Sequence, residues 1–178
     1  MNPSRNLFLV GPMGAGKTSI GRRLAEHYGM PFVDLDIEIE ARCGLTVSTI
    51  FEREGEAGFR ARECAHLDEF SLRTGVVLAT GAGAVLDPAN RRVLRERGFV
   101  VWLQVSVDEQ IDRLQHDRQR PLLAVPDRRT RLETLSTDRL PLYNELADLA
   151  FPGRHEDVEN AAARAIASID QHWNRPTP

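Results

Sequence analysis

The segment Gly11-Pro-Met-Gly-Ala-Gly-Lys17-Thr18 has the residue types and spacing of a phosphate-binding loop. Its glycines let backbone N–H groups turn inward around an anion, with Gly14, Ala15, Gly16, Lys17, Thr18 and Ser19 as the candidate cradle. A helix that starts here presents its positive end to the same anion. Lys17 is placed to reach the β- and γ-phosphates of a nucleotide, and the Thr18 hydroxyl to ligate Mg²⁺. Of the 23 basic residues, 22 are arginine and Lys17 is the sole lysine. An ammonium and a planar guanidinium differ in hydration and geometry, so a position that needs the first does not accept the second.

Further groups could direct the chemistry. Asp34 and Asp36 stand at a strand end that bends into a helix, where both could point toward one site. One carboxylate could then order a water of the Mg²⁺ shell and the other take the proton of an attacking hydroxyl. A helix N-cap followed by a first-turn acid explains the pair equally well. Arg60 and Glu63 have the i, i+3 spacing of a solvated helical ion pair. Gly81-Ala82-Gly83 follows an apolar strand, where exposed N–H groups could meet a ligand or simply form a turn. Arg118 and Arg120 could stabilise charge on a transferring phosphoryl group, although basic loops are usually just solvated. Arg139 precedes Pro141 in an otherwise helical stretch, which suggests a kink and a guanidinium able to hold a carboxylate by two hydrogen bonds.

These groups need elements to position them. Asn6 to Val10 predicts a buried strand, and Ile20, Leu24 and Tyr28 predict a helix from Lys17 that stops at Gly29. Phe32-Val33 predicts a second strand ending at Asp34. Helix formers run from about Ile37 to Leu72, broken near Gly44 and Gly55, with Thr46 as a cap. Val76 to Ala79 predicts a third strand, and Asp87-Pro88 opens a helix that runs to Gly98. A strand over Phe99 to Val105 leads into Ser106 and Glu109, which have capping-box spacing, and a helix through Gln115. The polar stretch 116–129 reads as a mobile lid. A helix from about Thr130 to Asp148, a strand near Leu149 to Phe151 and a helix from about Glu156 to Trp173 follow. Alternating apolar strands and helices imply an α/β fold: a parallel sheet covered on both faces, with ligands at the strands' carboxyl ends. One domain over 1–174 is expected, with 175–178 as a tail.

The net charge of −3 leaves no general basic field for nucleic acid. Cys43 and Cys64 lack metal-ligand spacing and suit two reduced thiols. The sequence has neither a signal-peptide pattern nor a membrane-length apolar run, so the expectation is a cytoplasmic protein without a membrane partner.

Taken in order, Gly-x-x-Gly-x-Gly-Lys-Thr, Asp-x-Asp, Phe-Arg-x-x-Glu, Thr-Gly-x-Gly, Arg-Pro-Leu-Leu and Arg-x-Pro-Leu-Tyr resemble shikimate kinase. The likeness runs from about Leu7 to Asp148. It implies a P-loop kinase of the nucleoside-monophosphate-kinase type with five parallel strands and a lid, using ATP, Mg²⁺ and shikimate and working as a monomer. By the same resemblance, Asp34 would hold a Mg²⁺-bound water and Asp36 would act as base on the acceptor hydroxyl. Arg60 and Arg139 would clamp the shikimate carboxylate, with Glu63 supporting Arg60 and Gly81, Ala82 and Gly83 lining the substrate. Arg120 would lie on the phosphates, Arg113 over the adenine, and Arg154 nearby.

The family usually has three consecutive glycines where this chain has Gly81-Ala82-Gly83. A β-carbon at position 82 would cost on the order of 1–2 kcal/mol if that residue required positive φ. Ala82 therefore keeps open a kinase for another small metabolite, such as gluconate. A nucleotide-binding module without turnover is the other alternative; Asp36, Arg120 and Thr18, all present, argue against it.

Overall fold

The computed structural model describes residues 4–115, 117 and 120–175; the lid residue Arg118 and tail residues 176–178 lie outside the described residues. Five strands, β1 (Leu7–Val10), β2 (Phe32–Asp34), β3 (Val77–Ala79), β4 (Phe99–Leu103) and β5 (Leu149–Phe151), form one parallel sheet in the order β2-β3-β1-β4-β5. Seven helices connect and follow them: α1 (Lys17–Tyr28), α2 (Leu35–Cys43), α3 (Val47–Ser71), α4 (Pro88–Arg97), α5 (Val107–Leu114), α6 (Arg128–Leu146) and α7 (Val158–His172).

The two-residue period of the strands divides the core into two layers. Leu7 and Leu9 pack with Ile20 and Leu24 of α1 and Ala165 and Ile169 of α7. Phe8 and Val10 point the other way, onto Leu67 and Phe70 of α3, Leu94 of α4, and Tyr143 and Leu146 of α6. With both faces covered, the strands are apolar throughout rather than alternating. The loops that follow all five strands gather at the sheet's carboxyl edge, where the strand order reverses across β1.

Local sequence accounts for most helix ends. Gly29 and Gly44 adopt left-handed conformation at the ends of α1 and α2. Thr46, Asp87 and Ser106 cap α3, α4 and α5, and Ser106 and Glu109 complete the expected capping box. Gly55, with φ 71°, interrupts α3 where a break is expected.

Other boundaries differ from the sequence reading. β4 ends at Leu103 rather than Val105, because the chain turns there toward the Ser106 cap. Helix α6 starts at Arg128, two residues early, because Asp127 caps it through the Thr130 N–H. The lid stretch is not wholly polar and irregular. A 3₁₀ turn at Pro121–Leu123 buries Leu123 against Met13, Leu114, Leu132 and Leu135. That apolar contact anchors this part of the lid to the loop after β1 and to α5 and α6.

Gly98, between α4 and β4, carries a testable steric constraint. A β-carbon there would stand 2.1 Å from Cδ2 of the fully buried Phe8, in a backbone conformation that is itself unstrained. Gly98→Ala is therefore expected to destabilise the fold by about 1–3 kcal/mol through overpacking. Urea unfolding measures this, and an unchanged midpoint would contradict the packing argument.

Candidate functional site

The phosphate loop leaves β1 at Gly11 and enters α1 at Lys17. Gly11, Gly14 and Gly16 all have positive φ, so the loop requires the backbone freedom of its glycines. Lys17 Nζ donates to the carbonyls of Gly11 and Pro12, at 2.7 and 2.9 Å. Burial, then repulsion from Arg120, lowers its pKa to about 8 despite Asp36 and Asp34. Arg113, on α5, donates to the Gly14 carbonyl at 2.9 Å and pairs with Glu109.

The Asp34 side chain caps a helix and also faces the phosphate loop. Its Oδ1 caps α2 by accepting from the N–H groups of Asp36 and Ile37. Its Oδ2 accepts a 2.6 Å hydrogen bond from the Thr18 hydroxyl. A hydroxyl and a carboxylate oxygen thus sit together beside the phosphate loop, a donor set suited to a hard divalent cation. Groups of three or more His, Cys, Asp or Glu able to hold a metal without other ligands are absent among the described residues. Asp36 lies in the first turn of α2, where burial, then the Asp34 charge, raises its pKa; Lys17, Arg120 and Arg60 oppose the rise.

The expected solvated pair of Arg60 and Glu63 is a correction. Arg60 donates to Glu63 at 2.7 Å and to Glu56 at 3.0 Å, but Glu63 has no exposed surface. The reason is the turn after β3. A β-carbon on Gly81 would come within 2.3 Å of Glu63 Oε1 and 3.0 Å of Asp36 Oδ1. One on Gly83 would come within 2.1 Å of Arg60 Nη2. Those two glycines let the backbone lie directly on the charged pair. Ala82 needs no such freedom: it lacks positive φ, so the left-handed strain does not arise. Its methyl joins the Met13, Leu114 and Leu123 cluster, while its carbonyl accepts from Tyr143 Oη at 2.6 Å.

Arg139 is 3% exposed on α6, one turn before Tyr143, and burial lowers its pKa. Arg120 pairs with Asp117 at 2.8 Å. Sequence reasoning assigned no roles to Asp117, Glu56 or Tyr143. The i, i+4 spacing of Glu56 and Arg60, the i, i+3 spacing of Asp117 and Arg120, and the place of Tyr143 in the Arg-x-Pro-Leu-Tyr motif are the signals that could have flagged them.

Two cavities adjoin. One, of about 400 Å³, is lined by Gly14, Ala15, Gly16, Lys17, Thr18, Ser19, Arg113 and Arg154. The other, of about 290 Å³, is lined by Arg60, Glu63, Gly81, Gly83 and Arg139. Thr18, Asp34, Asp36, Ala82 and Arg120 line both. All the candidate residues therefore fall in two adjoining spaces. Three buried polar atoms in the smaller cavity lack a hydrogen-bond partner among the described residues: Asp36 Oδ1, Glu63 Oε1 and Arg139 Nε. Two are acceptors fit for ligand hydroxyls, and one is a cationic donor fit for a carboxylate.

Comparison with known proteins gives a consistent result. A family model described as shikimate kinase matches residues 13–170. A shikimate kinase of Stenotrophomonas maltophilia (strain K279a) is 48% identical over 175 residues, covering 98% of this chain and 97% of its own. One from Bordetella avium (strain 197N) is 59% identical over 145 residues, covering 82% of this chain and 69% of its own. The solved structure of shikimate kinase from Acinetobacter baumannii in complex with shikimate superposes with a TM-score of 0.91, at 44% identity and 93% coverage of each chain.

The buried carboxyl gives the site a pH-dependent signature. Burial, opposed chiefly by Arg60, raises the Glu63 pKa from its ordinary 4.5 to about 7, with Asp36 adding to the rise and Arg139 opposing it. Between these values the folded chain keeps a proton that the unfolded chain has released, so stability falls as pH rises through that window. Glu63→Gln removes this dependence. The stability of the variant relative to wild type should rise from about pH 4.5 to about pH 7 and then level off. Chemical denaturation across that range checks it; a constant difference would mean that Glu63 ionises normally.

Proposed function

We propose, on the premise that the chain belongs to the shikimate kinase family, a division of labour for its residues. The reaction moves the γ-phosphoryl group of ATP onto the 3-hydroxyl of shikimate, yielding 3-phosphoshikimate and ADP in the biosynthesis of chorismate and the aromatic amino acids. The observation that carries the reading is the trio of buried, unpartnered atoms of Asp36, Glu63 and Arg139 in one cavity. A ligand with hydroxyls on one side and a carboxylate on the other complements them. Gluconate shares those groups, so it is family membership that sets a gluconate kinase aside.

ATP lies along the larger cavity, with its phosphates in the cradle from Gly14 to Ser19 and its base near Arg113 and Arg154. Family membership brings a divalent metal with ATP. Mg²⁺ suits the oxygen donors here, bound by Thr18 and, through water, by Asp34, and it neutralises phosphate charge. Shikimate occupies the smaller cavity, its carboxylate between Arg60 and Arg139, with Glu63 orienting Arg60. Gly81, Ala82 and Gly83 form its floor.

Asp36 lies where the two cavities meet, with a carboxylate oxygen to accept the hydroxyl proton. As the acceptor oxygen bonds to Pγ, the bond from Pγ to the bridging oxygen breaks and ADP departs. Lys17 and Arg120 stabilise the negative charge on the transferring group and the leaving phosphate. The raised pKa of Asp36 makes it a better base when ionised, and Lys17 and Arg120 oppose the rise.

We assign residues 1–174 to one kinase domain, with 116–129 as a lid that brings Arg120 to the phosphates. A monomer is the proposed working unit. None of the described helices is long and apolar enough to cross a membrane. That fits the proposed cytoplasmic location, where ATP is supplied.

ADP release with Mg-ATP and a panel of shikimate, quinate, gluconate and nucleoside monophosphates tests the substrate. Turnover is expected with shikimate alone; turnover on another acceptor instead would overturn the assignment. Asp36→Asn should lower kcat by about 10²–10⁴-fold with ATP affinity nearly intact. A change confined to KM would remove Asp36 from the role of base.

A further inference from the structure

Tyr143 lines neither of the two cavities, yet it is bonded to the turn that rests on Arg60 and stands one helical turn from Arg139. Its hydroxyl donates to the Ala82 carbonyl at 2.6 Å. Ala82 lies between the two glycines whose backbone rests on Glu63 and Arg60. On its own helix, Tyr143 follows Arg139 by one turn, which puts both residues on the same face of α6. Behind it, the ring stacks on Trp102 of β4, with centroids 5.8 Å apart and planes 20° apart. The side chain is thus fixed to the sheet, and its hydroxyl sets the spacing between α6 and the turn after β3.

The tyrosine is almost wholly buried. Burial raises its pKa, so the hydroxyl remains a donor at every pH at which the enzyme works. The same hydroxyl satisfies a backbone carbonyl for which no other hydrogen bond is seen among the described residues.

We infer that Tyr143 is a positioning residue for substrate specificity: through the Ala82 carbonyl it holds the turn, and so Arg60, at the distance from Arg139 that fits a carboxylate. The inference rests on the reading of Arg60 and Arg139 as the clamp. It implies that the main chain, rather than the side chain, of position 82 matters to this linkage. Alanine serves there because Tyr143 needs only its carbonyl.

The test is Tyr143→Phe, which keeps the ring and its stacking on Trp102 and removes only the hydroxyl. The KM for shikimate should rise about five- to tenfold, the factor that accompanies loss of one hydrogen bond, with kcat and the KM for ATP within about twofold. A shikimate analogue with a hydroxymethyl group in place of the carboxylate should be used equally poorly by wild type and variant. In an Arg139→Ala background, itself with a raised KM for shikimate, the same change should add little, because the clamp is already broken. A merely structural loss would act on both substrates, on the analogue and in both backgrounds, and that pattern would overturn the inference. So would an unchanged KM for Tyr143→Phe while Arg139→Ala raises it, with the clamp itself left standing. If wild type uses shikimate but Arg139→Ala leaves its KM unchanged, the clamp reading fails and the inference with it.

Discussion

Glu63 has its carboxyl group in the interior, away from water, where a charge is tolerated only beside a partner. The arrangement of the substrate side follows from that need. Arg60 supplies the partner, Glu56 holds Arg60 from outside, and the chain after β3 must approach closely enough to close the pocket over them. Only a backbone without β-carbons can do so, hence Gly81 and Gly83. Ala82, between them, points its methyl toward the lid cluster and its carbonyl toward Tyr143. One residue thereby joins the proposed substrate floor to the lid anchor and to α6.

The nucleotide side is governed by the opposite sign of charge. Lys17, Arg120 and Arg113 surround a glycine loop whose backbone also presents donors, and Asp34 and Asp36 face them from the next strand. The two sets of charges moderate each other. Lys17 is held below its usual pKa by burial and Arg120 but supported by the two aspartates, while Asp36 is raised by burial and Asp34 but restrained by the cations. The parallel sheet makes this balance possible by delivering the loops after β1, β2 and β3 to one edge.

The lid shows how apolar and catalytic requirements are combined. In the proposed mechanism Arg120 reaches the phosphates, and the residues that follow it, Pro121 to Leu123, fold into a turn whose Leu123 is buried with Met13 of the phosphate loop. Closing charge onto the nucleotide and burying that leucine therefore involve the same loop. Asp117 on the other side fixes the Arg120 side chain by an ion pair with the guanidinium.

Much of this was legible from local pattern. The phosphate loop, the strand and helix order, the helix caps at Thr46, Asp87 and Ser106, and the break at Gly55 depend on neighbouring residues, whose spacing sequence records directly. Asp34 could be recognised as both cap and site residue, but the choice between roles needed Thr18, which is adjacent only after folding. The true state of Glu63 was hidden altogether: an i, i+3 pair on a helix reads as solvated until another strand's turn is laid over it. The same holds for Tyr143 and the Ala82 carbonyl, 61 positions apart. The sequence by itself determined which chemistry is available, because loop geometry and helix periodicity are local. Tertiary structure alone decided which charges are buried, paired or left for a ligand, because burial depends on residues distant along the chain.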